Sequence, residues 1–165
     1  MKVVRFIIAL SLGILVFAFT VAGVEAIGHA VYPPPPEFQE IGDRMSAAMA
    51  AKDQVAFERT QADLADAMAA YLPTAPVGSF IFVVAAWIIG AFFGGGVAAM
   101  ATPWARRSVA VLVGLADAAA IILVTSVVPG PEWMPFVGIG GALLAAFGVG
   151  LLVANMFRPQ HSLQV

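Results

Sequence analysis

The stretch that decides the fold is 77-VGSFIFVVAAWIIGAFFGGGVAAMA-101, twenty-five residues without one charged side chain. At about 1.5 Å rise per residue, a helix of this length exceeds the roughly 30 Å hydrocarbon core of a bilayer. Pro76 stands just before it, and the chain carries no charge anywhere between Asp66 and Arg106. No soluble helix needs so long an uncharged surface, so the segment reads as a membrane span.

Working outward, three more segments have the same character. Between Arg5 and Glu25 run 19 uncharged, mostly apolar residues, FIIALSLGILVFAFTVAGV, and Ala26 to Gly28 complete the last turn. A third span runs from about Ser108 to Val128 with one charged residue, Asp117, and a fourth from about Pro135 to Phe157, ending before Arg158-Pro159. Four spans occupy well over half of the 165 residues, leaving no room for a separate soluble catalytic domain. The expected fold class is therefore all-α: a four-helix transmembrane bundle forming a single integral membrane domain, 1–165. Within it, a polyproline segment and a helical extracytoplasmic insert, 29–76, separate the first two spans. Lys2 and Arg5 before an apolar run also resemble the start of a signal peptide, with Gly28-His29-Ala30 as a loose cleavage pattern. The run is longer than the apolar region of such a peptide, which favours a retained helix.

Composition agrees and narrows the function. Hydrophobic residues make up 61% and charged residues 11%, with a mean hydropathy of +0.95, against about 45–50% and about 25% in soluble domains. Eight basic against ten acidic side chains leave a formal net charge of -2 and no basic face, which argues against nucleic acid as a partner. The absence of cysteine excludes disulfides and thiolate chemistry, and His29 and His161 are too few for a histidine-rich zinc centre.

Charge placement predicts orientation. Lys2, Arg5, Arg106, Arg107 and Arg158 flank the ends that an even number of crossings brings together. Glu37, Glu40, Asp43, Asp53, Glu58, Asp63, Asp66 and Glu132 fall at the other end, opposed only by Arg44, Lys52 and Arg59. The positive-inside rule then places both termini in the cytoplasm and the acidic insert outside, periplasmic or extracellular. Trp104 and Trp133 sit near the interfaces so defined.

The insert opens with VYPPPPEF, where Pro33 to Pro36 lack backbone donors and have fixed φ, predicting a short polyproline II rod. Ile41 to Leu72 is rich in helix formers. Ile41, Met45, Met49, Leu64, Met68 and Leu72 recur at multiples of about four, as one helix or a helical hairpin requires. Such a unit caps the bundle or presents a surface to another protein. Pro73 and Pro76 break the chain before it re-enters the bilayer.

Inside the spans, small residues recur every four positions: Ala86, Gly90, Gly94 and Ala98 in the second, Ala142, Ala146, Gly150 and Ala154 in the fourth. Small side chains let helices approach closely in lipid, either within this bundle or against a second copy or another membrane protein. Asp117 is the tenth residue of its 21-residue span, near the midplane, where a charged carboxylate costs at least about 2.5 kcal/mol. A neutral Asp117 hydrogen-bonded to the Trp87 indole, or to Ser11 or Thr20, is the structural reading; a proton or cation pathway is the other. Glu25 and His29 are four residues apart on one helix face at the outer interface, and are expected to hydrogen-bond to each other.

No Ser-His-Asp order, Gly-x-Ser-x-Gly or Walker A pattern occurs. No enzyme activity, metal or cofactor is expected. Glu25-Ala26-Ile27, Tyr32-Pro33, Leu72-Pro73 leading through Gly78, Gly94-Gly95 with Ala98-Ala99, and Pro129-x-Pro131-x-Trp133 together resemble a family of small, uncharacterised bacterial inner-membrane proteins with four predicted spans. The resemblance implies a multi-pass location in the bacterial inner membrane and carries no catalytic residue. Two functions follow. One is a non-catalytic accessory or assembly subunit that contacts a membrane-protein partner or itself through Gly90, Gly94 and Gly150 and the external helix. The alternative is a small transporter or channel using Asp117.

Overall fold

The computed structural model describes residues 2–128 and 130–157. Arg158, His161 and Pro129 lie outside them. The chain is all-α. Helix α1 spans Lys2–Val31, α2 Pro36–Ala51, α3 Gln54–Tyr71, α4 Val77–Ala101, α5 Arg106–Val127 and α6 Trp133–Met156. Helices α1, α4, α5 and α6 are long and apolar enough to cross a membrane, and α2 with α3 forms the insert between the first two. The protein is a multi-pass helical membrane protein.

Helix α4 begins and ends where the sequence places it, after Pro76 and before Thr102. Its C-terminus is turned by Thr102, fully buried, whose hydroxyl donates 2.7 Å to the Ala98 carbonyl while Pro103 follows in the sequence. Helix α1 is longer than expected, because Lys2 to Arg5 and His29 to Val31 join the apolar run. It then stops before Pro33. The proline rod is shorter than expected: Pro35 has polyproline dihedrals (φ -53°, ψ 144°), but Pro36 is already the first residue of α2. Proline suits that position because the amide it lacks has no acceptor within the helix.

The insert is a helical hairpin. Lys52 turns it with φ 54°, the one positive φ among the described non-glycine residues. Asp53 then caps α3, its carboxylate accepting from the Ala56 amide at 3.0 Å. Arg44 and Asp63 pair across the hairpin at 2.9 Å, and Phe38 meets Tyr71 edge-on at its base with centroids 5.5 Å apart.

In the bundle, α4 is central: it packs on α1, α5 and α6, while α5 packs on α6. Burial is greatest along α4 and least along α1. Arg5 Nε donates to the Ala101 carbonyl at 3.3 Å and its guanidinium lies 5.5 Å from the Trp104 ring, which sets the start of α1 beside the end of α4. Arg106 lies 4.9 Å from the Phe157 ring, setting the start of α5 beside the end of α6. The basic residues Lys2, Arg5, Arg106 and Arg107 thus share one end and the acidic insert occupies the other.

Candidate functional site

The small residues singled out in α4 and α6, the half-buried Ala154 excepted, lie at interfaces within the chain. A Cβ on Gly94 would stand 2.6 Å from the Gly13 carbonyl oxygen, and Gly90 faces Phe17 and Val21 of α1. Ala98 packs with Val109 and Val113 of α5 and touches the position where Gly13 would carry a Cβ. Gly114 of α5 lies against Ala146, Ala142 is wholly buried, and Gly150 lies against Ala110. These stripes therefore present no free face to another protein, because α1 and α5 already occupy them.

Asp117 is the outlier of the bundle. It is the twelfth of the 22 residues of α5, is 2% exposed, and neither carboxyl oxygen has a hydrogen-bond partner among the described residues. The other buried polar side chains among the described residues, Thr60 and Thr102, both donate to carbonyls of their own helices. None of the donors expected for Asp117 bonds to it. Trp87 is buried with its six-membered ring over Gly138, where a Cβ would be 2.6 Å from the ring, so the absence of a side chain at Gly138 leaves room for the indole against α6. Thr20 donates to the Val16 carbonyl at 2.8 Å, and Ser11 is exposed. A buried carboxyl without a partner is unusual, since most buried polar atoms find one.

At the insert end, α1, α4, α5, α6 and the hairpin line a half-open cavity of about 390 Å³. Toward the bundle it is lined by Phe80 and Val83 of α4, Val124 of α5 and Met134 of α6; toward the insert by Phe38, Met68 and Tyr71. Glu25, His29 and Ser79 supply its main polar wall, and the same three line an adjoining cavity of about 60 Å³ beside Tyr32. The hydrogen bond expected between Glu25 and His29 is not formed. Among the described residues the only ion pair within 4.0 Å is Arg44 with Asp63, and both Glu25 and His29 instead line the cavity. Ser79 Oγ is buried and has no partner.

Between this cavity and Asp117 lies packed apolar side chain. Phe80 and Met134 belong both to the cavity wall and to a core cluster with Val84, Trp87 and Ile121. Ile121 stands one turn from Asp117, and Thr125 of the cavity wall one turn further, so about 12 Å of helix separates cavity and acid.

Sequence reasoning found Asp117, Trp87, Glu25 and His29 but not the cavity, whose lining comes from six elements. One signal was present: Ser79 is the single hydroxyl in the apolar run 77–101. No group of three His, Cys, Asp or Glu side chains able to hold a metal assembles among the described residues. No protein-family model, curated protein or solved structure matches the chain.

Proposed function

We propose that the protein is a small transporter in which Asp117 is the group that takes up and releases a proton or cation within the membrane. In this reading it is not an enzyme, resides in a bacterial inner membrane, keeps both termini in the cytoplasm and holds the insert outside. The observation that carries the reading is the orphaned Asp117 carboxyl at mid-span. Such a group lowers the stability of the fold and gains no hydrogen bond in return, so a structural role leaves it unexplained. Intramembrane acids of this kind mark ion and proton paths. Two further features support it: the Gly and Ala stripes are consumed inside the chain, and a cavity opens toward the same helix two turns away. Ile121, Trp87 and Phe80 would form the barrier that must part for the acid to exchange with the cavity.

The test is proton flux into proteoliposomes containing a trapped pH dye, with an imposed gradient. Wild type should acidify the lumen faster than empty vesicles, and Asp117→Asn should fold yet fall to the background. Equal rates for the two proteins, or no flux from wild type, would overturn the proposal.

One observation favours the accessory-subunit reading. No Cα of α2 or α3 comes within 8 Å of a membrane helix, so the hairpin meets the bundle only through side chains such as those around the cavity, and its backbone stays apart. Co-purification of a defined membrane protein after mild extraction, lost on deleting residues 37–71, would support it.

A further inference from the structure

The cavity at the insert end has a composition that specifies a ligand. Its walls are almost wholly apolar, which suits a hydrocarbon or aromatic body. Among the described residues its one acidic group is Glu25, and no Lys or Arg lines it. Glu25 makes no ion pair with any described residue. His29, also in the lining, is exposed on the face beside Glu25. The Phe38 and Tyr71 rings, held edge-on to each other, both border the space. Aromatic faces attract cations, more strongly where water is excluded. Ser79 Oγ, buried without a partner, offers an acceptor on the Glu25 wall. The surrounding insert carries seven acidic side chains against three basic ones between residues 29 and 76, a field that draws cations toward the opening.

We infer that this cavity binds a small lipophilic organic cation, its charged head at Glu25 and its apolar body against Phe80, Val83 and Met134. The inference extends the transport reading by naming what the insert end recognises, yet the binding itself does not require Asp117. An anionic ligand would face Glu25 unpaired. A wholly neutral one would make no use of the Glu25 carboxyl or of the acidic insert around the opening.

Isothermal titration of the full-length protein in phosphatidylcholine nanodiscs tests this, with benzyltrimethylammonium as the probe and phenylacetate as an anion of similar shape. The cation should bind saturably and phenylacetate should not. Glu25→Gln should weaken the cation by about tenfold or more, the scale of one desolvated charge contact. Ala75→Trp, which adds bulk at a residue lining the cavity, should abolish binding, and Glu58→Gln on the hairpin should leave it unchanged. Circular dichroism and gel filtration verify that each variant is folded. No saturable binding by wild type, undiminished binding by folded Glu25→Gln, or equal binding of phenylacetate would overturn the inference. Asp117→Asn separates the two claims. Cation binding kept while proton flux never appears in wild type sinks transport alone; flux present with no cation binding sinks this inference alone.

Discussion

Gly13 of α1 and Gly94 of α4 meet backbone to backbone. A Cβ on Gly13 would lie 2.8 Å from the Gly94 carbonyl oxygen, and one on Gly94 would lie 2.6 Å from that of Gly13. Backbone cannot yield as a flexible side chain does, so this contact fixes the separation of the two helices.

Gly94→Ala should therefore destabilise the protein by about 1–3 kcal/mol, the usual cost of overpacking, seen as a lower unfolding midpoint in detergent. Gly148→Ala, at a position with no neighbour within 4 Å, should change little or gain slightly in helix propensity. Equal midpoints for both variants would refute the tight α1–α4 contact.

Asp117→Leu should raise stability, by roughly 1–3 kcal/mol, because a buried unpaired carboxyl is removed and no former partner is left behind. The sequence alone predicts the reverse order, with Leu more damaging than Asn, since it assigns Asp117 a donor in Trp87. Denaturant titration of the wild type, Asn and Leu proteins decides between them. Leu and Asn variants both less stable than wild type would mean that Asp117 has a partner after all, whereas a loss in Leu alone would report overpacking.

Lys52 occupies the left-handed region that costs a side-chain-bearing residue about 1–2 kcal/mol. Lys52→Gly should tighten the hairpin by somewhat under about 1 kcal/mol, because glycine's greater freedom in the unfolded chain offsets part of the gain. Slower amide exchange at Ala51 to Phe57 would be the sign; unchanged or faster exchange would contradict it.

Topology is open to direct labelling in this cysteine-free background. Single cysteines at Ser46 in α2 and Ser108 near the start of α5 lie at opposite ends of the bundle and are exposed. In sealed right-side-out vesicles an impermeant thiol reagent should reach the first and not the second. Labelling of Ser108→Cys alone would invert the orientation argued from Lys2, Arg5, Arg106 and Arg107.

Much of the architecture is legible in the sequence because membrane spans are specified by composition over a fixed length. Val77 to Ala101 coincides with α4, and α5 and α6 begin two residues before their expected starts. The four-residue spacing of Gly90, Gly94 and Ala98 shows that one face of α4 permits close approach, but spacing carries no information on which helix takes the place. The hairpin was legible as helix, while its turn at Lys52 was not, since no glycine or proline marks it. The site was the least legible. Trp87 and Asp117 are close in depth, yet helix rotation decides whether they meet, and the Trp87 ring instead lies against Gly138 of a different helix. The cavity depends on residues as distant in sequence as Glu25 and Met134, and only tertiary packing brings those together.

Helix α1 packs along α4 and α5 and has no contact with α6. Mechanically the bundle is thus a three-rod frame, α4 to α6, with a fourth rod strapped along one side by the glycine seam. Tension applied at the N-terminus would peel that rod away turn by turn while the frame stays closed, and the hairpin, which no membrane helix holds by its backbone, would pay out as slack before the frame bears any load.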